Sequence, residues 1–183
     1  IIQLDLLIAY LKKKDLPEDK KYIDWNDPTQ VPKVSIQLPI YNEEYVVGRL
    51  IDRIAALDYP ADNLEVQILD DSTDESQQLI DQLAEKHYDN GIDIKVLRRS
   101  VRKDYKAGAL KHWLPRAKGD FIAIFDADFL PPTDWLKKAL PYFTDKKTGL
   151  VQTRWTHLNR DHSLLTRIQA FALDFHFIIE QLG

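Results

Sequence analysis

Apolar positions along the chain switch repeatedly between short strand-like runs and longer helix-like stripes. Val34 to Leu38 reads as a strand. Glu43 to Leu57 reads as a helix with Val46, Val47, Leu50, Ile51, Ile54 and Leu57 on one side. Leu64 to Leu69 alternates as a half-buried strand does. A helix follows from Glu75 to His87, its Leu79, Ile80, Leu83 and Ala84 sharing a face, with Ser72, Thr73 and Asp74 as capping residues. Asp93 to Leu97 is a third strand and Lys106 to Leu114 a short helix. Phe121 to Phe125 has no polar face, which predicts a buried strand. A helix over Trp135 to Phe143, a strand over Gly149 to Thr153 and a long helix from Ser163 to Gln181 complete the pattern. Such alternation implies βαβ units with right-handed crossovers. The expected fold is α/β, a three-layer α/β/α sandwich around a mainly parallel sheet.

Chemistry gathers where the strands end. The Phe121 strand runs into Asp126-Ala-Asp128, two carboxylates one residue apart at the edge where open α/β sheets hold ligands. Carboxylates so close repel unless a cation or donors compensate. Mg²⁺ or Mn²⁺ meets that need, since each takes oxygen ligands shared between one or two carboxylates and a phosphate. A solvated turn is the plainer alternative. The second strand delivers Asp70 and Asp71 to the same edge, which favours a shared pocket over two coincidences. Of the basic residues Arg98, Arg99, Arg102, Lys103, Lys106 and Lys111, most read as solvated charges. Lys106 is the exception, because Lys106-Ala-Gly108-Ala opens a helix whose amino terminus favours anions.

Composition narrows the classes. With 183 residues, 44% of them hydrophobic, there is chain for one core. A net charge of −4 argues against nucleic acid as a partner. Cysteine is absent, which excludes disulfides and thiolate metal sites. The five histidines lack metal-ligand spacing. The six glycines form neither a dinucleotide fingerprint nor a Walker loop. Methionine is absent even at position 1, so the chain is expected to start inside a longer product. Residues 1–14, an apolar stretch abutting Lys12, Lys13 and Lys14, read as the end of a truncated transmembrane helix with a basic cytoplasmic flank, or alternatively as a short amphipathic helix. Residues 15–32 read as a linker and 33–183 as the globular domain. The closing helix, apolar nearly all round from Phe171, reads either as a core helix or as a face for further polypeptide or a membrane interface.

Pro39-Ile-Tyr-Asn-Glu43, Asp70-Asp-Ser-Thr-Asp74, Lys106-Ala-Gly-Ala-Leu110, Phe125-Asp-Ala-Asp128 and Val151-Gln-Thr-Arg-Trp155 occur in that order. Together they resemble the processive-type family 2 glycosyltransferases, which include cellulose synthase-like and glucomannan synthase-like membrane enzymes. The resemblance implies a Rossmann-like GT-A fold, a nucleotide-diphosphate sugar donor, Mg²⁺ or Mn²⁺, and transfer with inversion to a polysaccharide or lipid acceptor. It also implies a membrane-associated protein with a cytoplasmic catalytic domain. It places Pro39, Tyr41 and Glu43 beside the nucleoside, with Asp70 and Asp71 at the base. Lys106 and Gly108 fall at the diphosphate or nucleoside, Asp126 at the ribose or metal, Asp128 on the metal, and Gln152 near the sugar and acceptor path. The family's acceptor base lies in a Thr-Glu-Asp-type motif that this chain lacks, so the base is expected beyond Gly183 and the chain is expected to be the donor-binding part. A non-catalytic nucleotide-binding module and a haloacid dehalogenase-type phosphohydrolase, which also has Asp-x-Asp after an apolar strand, are the alternatives.

Overall fold

The computed structural model describes residues 23–27, 29–153 and 161–180, with side chains of the last helix as far as residue 173. Two compact units make up the chain, one of Tyr22–Pro141 and one whose described residues begin at Tyr142. The first holds strands β1 (Val34–Ile40), β2 (Leu64–Asp70), β3 (Asp93–Leu97) and β4 (Phe121–Ile124), with helices α1 (Glu44–Ala55), α2 (Ser76–Asp89), α3 (Tyr105–Trp113) and α4 (Trp135–Ala139). The second holds α5 (Leu164–Glu180).

The strands form one sheet in the order β3-β2-β1-β4, every pair parallel. Right-handed crossovers from β1 to β2 to β3 put α1 and α2 on one face. The return from β3 to β4 puts α3 on the other. On the first face Val34, Ile36, Leu38, Val66 and Ile68 are at most 1% exposed, as are Leu50, Ile51 and Ile54 of α1 and Ile80 of α2. On the second, Leu69 packs with Ala109 and Trp113 of α3. The sandwich is three-layered, as the alternation predicts.

The two central strands are more deeply buried than their pattern suggests. Ser35, Gln37, Glu65 and Gln67 are at most 5% exposed. They pair across the β1–β2 ladder, where Ser35 Oγ donates to Glu65 Oε2 at 2.6 Å and Gln37 Nε2 donates to Gln67 Oε1 at 2.9 Å. What covers them is backbone. The Lys118 amide donates to Glu65 Oε2 at 2.9 Å, the Gly119 amide to Ser35 Oγ at 2.8 Å, and Gln67 Nε2 reaches the Arg116 carbonyl at 3.3 Å. Burial alone would push the Glu65 carboxyl up, but Ser35, Lys118 and Gln67 outweigh it and hold it below the usual range.

Gly119 lets this cover close. A Cβ there would sit 2.3 Å from the Ser35 nitrogen and 2.7 Å from the Val34 carbonyl carbon, both backbone atoms that cannot yield cheaply. Gly119→Ala should therefore lower the unfolding free energy by about 2 kcal/mol or more, by forcing β1 and the entry to β4 apart. Urea denaturation checks this. A midpoint equal to wild type would show that the approach is not tight.

The structure departs from the sequence pattern at four places. The helix expected over Trp135 to Phe143 stops at Ala139 and continues as a 3₁₀ turn over Leu140–Thr144, since Pro141 has no amide to donate into an α-helix. β4 is not buried on both faces. Ala123 is buried but Ile124 is 48% exposed, and among the described residues β4 pairs on one edge only, with β1. Gly149 to Thr153 is not a strand, and Leu150 is 82% exposed. The described residues just ahead of Lys33 include packed ones. Val31 is buried, its carbonyl accepts from Asn63 Nδ2, and Trp25 lies edge-on to Tyr59.

Within its own unit α5 is a regular helix. Ala170 is buried, while Leu164, Leu165, Ile168 and Phe171 are each more than half exposed. Among the described residues no helix is long and apolar enough to cross a membrane. Residues 1–14, read above as the end of a transmembrane helix, lie outside the described residues.

Candidate active site

The carboxyl edge of the sheet collects the ends of all four strands, because all run parallel. Asp70 closes β2 opposite Ile40, and the Asp71 amide donates to the Ile40 carbonyl at 3.0 Å, carrying the ladder one residue further. The loop after β1 is tied to the loop after β2. Asn42, with φ +54°, donates its amide to Ser72 Oγ at 3.0 Å and accepts from the Thr73 amide at 2.8 Å. Asp74 accepts from the Ser76 amide at 3.0 Å and so opens α2.

Asp70 and Asp71 are both satisfied by arginines from the end of β3. Arg98 Nε donates to Asp70 Oδ2 at 2.7 Å and its other nitrogens reach Asp81. Arg99 grips Asp71 with two donors, Nε at 2.8 Å and Nη2 at 2.5 Å, and both side chains are 7% exposed. The bond to Asp71 raises the Arg99 pKa further above its ordinary value. Arg102 lies with its guanidinium 3.3 Å from the centre of the Tyr41 ring and 4.8 Å from that of Tyr105. The expectation that these arginines are solvated charges is corrected. Registration of Leu69 with Leu97 puts Asp70-Asp71 beside Arg98-Arg99 when both strands are continued. That match of opposite doublets was the signal available in the sequence.

Lys106 is the second residue of α3, and its Nζ forms an ion pair with Asp126 Oδ1. Asp128 is exposed and carries no hydrogen bond or ion pair to any described residue. Gly108 serves packing, since a Cβ would strike the Lys103 carbonyl at 1.9 Å and Arg99 Nη1 at 2.7 Å. Of the other predicted residues, Pro39 is half-buried in β1 and Tyr41 lies under Arg102. Glu43 is exposed ahead of α1, its carbonyl accepting from Val46 and Val47. Gln152 is exposed in the other unit, in a segment without regular structure.

A divalent cation would find two carboxylates at the end of β4, one of them with nothing to displace. No group of three or more His, Cys, Asp or Glu side chains placed to hold a metal occurs among the described residues. Asp126 and Asp128 are the residues that could hold an ion of the kind that completes its shell with phosphate oxygens and water, as Mg²⁺ and Mn²⁺ do.

Residues 35–181 match the model of glycosyl transferase family 2. The chain belongs to glycosyltransferase family 2. Among curated family 2 relatives, Glucomannan 4-beta-mannosyltransferase 1 of Cyamopsis tetragonoloba is 40% identical over 92% of this chain and 31% of its own length. Glucomannan 4-beta-mannosyltransferase 9 of Arabidopsis thaliana is 41% identical over 98% of this chain and 36% of its own. The chain thus spans about a third of the length of these relatives. Among solved structures, the mannosyltransferase PcManGT from Pyrobaculum calidifontis, in complex with GDP-Man and Mn²⁺, superposes with a TM-score of 0.66 at 31% identity, covering 84% of this chain and 47% of that one. S. aureus TarS gives 0.59 at 25% identity, over 69% and 22%. The GT-A architecture expected of a family 2 member is the one seen here, and the fold and family set aside the phosphohydrolase reading.

Proposed function

We propose that this chain is the donor-binding part of a metal-dependent glycosyltransferase, which takes a sugar from a nucleotide diphosphate and passes it, with inversion, to a polysaccharide or lipid acceptor. The observation that carries the reading is the Lys106–Asp126 ion pair beside the exposed Asp128, at the carboxyl edge of a parallel sheet. Lys106 brings a cation to the amino end of α3, where backbone amides also favour a diphosphate. Asp126 and Asp128 would hold Mg²⁺ or Mn²⁺. When bound, that ion supplies Lewis-acid stabilisation for charge developing on the departing diphosphate. The relatives named as glucomannan mannosyltransferases, and PcManGT with its GDP-Man, favour GDP-mannose over UDP-glucose and a polysaccharide acceptor over a lipid. Membrane association with a cytoplasmic catalytic domain belongs to the same proposal and rests on the apolar stretch and lysines of residues 1–14.

Calorimetric titration with GDP and UDP in the presence of Mn²⁺ tests the site. Both should bind, GDP the more tightly, and Lys106→Ala should weaken each about tenfold by removing the cation that faces the diphosphate. Nucleotide binding indifferent to Lys106 would move the site elsewhere.

A further inference from the structure

We infer that Arg99 is a positioning residue for the donor site, fixing from β3 the backbone that presents Lys106 to Asp126. This rests on the reading of Lys106 and Asp126 as donor-site residues. The guanidinium makes four bonds to three places. Two go to the Asp71 carboxylate at 2.8 and 2.5 Å, one from Nη1 to the Lys103 carbonyl at 2.7 Å, and one from Nη2 to the Tyr105 carbonyl at 2.7 Å.

The last two bonds bracket the only consecutive positive-φ residues among those described, Asp104 at +58° and Tyr105 at +48°. Neither is glycine, and such a backbone persists only where its surroundings over-determine it. The Tyr105 carbonyl belongs to the peptide whose nitrogen is that of Lys106. Arg99 therefore orients the peptide plane from which Lys106 departs. Its other end is anchored to Asp71, whose amide continues the β1–β2 ladder, so the sheet itself sets the loop's position. Gly108 makes the arrangement possible, because any side chain there would collide with Lys103 and Arg99 together. A lysine could replace one of these bonds but not all four, since it lacks the planar fork.

The test is GDP titration with Mn²⁺, run beside thermal melting, on wild type, Arg99→Lys, Lys106→Ala and the double variant. Arg99→Lys should weaken GDP about tenfold, and the double variant should bind no more weakly than Lys106→Ala alone, because Arg99 acts through Lys106. A purely structural arginine would change the melting temperature without that coupling. Gly108→Ala provides a second route, pushing the guanidinium off the loop without altering any charge, and should show the same loss and the same coupling to Lys106. Unchanged GDP affinity in Arg99→Lys or Gly108→Ala, or losses that add to that of Lys106→Ala, would overturn the inference while leaving the donor site standing. Wild-type protein that binds neither GDP nor UDP would instead remove the donor-site reading itself.

Discussion

Asp128→Asn should abolish the tightening of nucleotide binding by Mn²⁺. In wild type, adding the metal is expected to strengthen GDP or UDP binding by at least about tenfold, roughly 1.4 kcal/mol. In the variant the two conditions should agree within about twofold, because a neutral amide is a poor ligand for a hard cation. The residue is exposed and bonded to no described residue. The substitution should therefore leave stability within about 0.5 kcal/mol of wild type. Calorimetry with and without Mn²⁺ reads the first effect and thermal melting the second. Asp126→Asn is expected to differ, since it also frees Lys106 from its ionic partner and should leave GDP bound no more weakly than in wild type when metal is absent. Wild-type binding that ignores Mn²⁺ would remove Asp128 from the metal.

Glu65→Ala should cost about 3 kcal/mol of unfolding free energy, the largest stability loss expected of any polar substitution here. It leaves the buried Ser35 hydroxyl without its acceptor, takes from the Lys118 amide the nearer of its two acceptors, and leaves a cavity between the strands and their cover. It also removes the carboxylate facing the Lys95 and Lys118 ammonium groups, though both are largely exposed and contribute little. The sign with pH follows from the carboxyl's lowered pKa. Its stabilisation is fully present above the unfolded value of about 4.3 and is lost as pH falls through the folded one. The wild type should lose stability faster than Glu65→Gln on acidification below about pH 4.5, which urea midpoints at pH 7 and pH 3.5 would show. Parallel acid limbs in the two proteins would mean that Glu65 is not the group that titrates.

How much of this was legible beforehand depended on where the partner of each residue lay. The apolar stripes of α1 and α2 and the runs of β1 to β3 announce themselves, since their spacing reports a local geometry. Asp70, Asp71, Lys106 and Asp126 could be placed at one edge because parallel strands share a carboxyl end. Their pairing could not be read so directly. It depends on β3 lying beside β2, and only that adjacency turns Arg98 and Arg99 from surface charges into partners of Asp70 and Asp71. The same limit explains Glu65 and Gln67. Alternation marks them as one face of a strand, yet the backbone that covers them comes from Arg116 to Gly119, some 50 residues later. Gly149 to Thr153 failed for the converse reason. Its apolar residues suit a strand, but β-propensity depends on context and is only a preference.

The buried polar rungs between β1 and β2 have a consequence for how the chain finds its fold. Ser35 stands opposite Glu65, and Gln37 opposite Gln67. A slip of one residue would turn every side chain of β2 to the wrong face and be rejected on hydrophobic grounds. A slip of two keeps the faces correct, and an all-apolar pair of strands would tolerate it. Here it would set Ser35 against Gln67 and Gln37 against Leu69, leaving an amide facing a hydrocarbon and the Glu65 carboxylate without its hydroxyl. The rungs thus act as a proofreading key at the centre of the sheet, rejecting the misalignment to which hydrophobicity is blind.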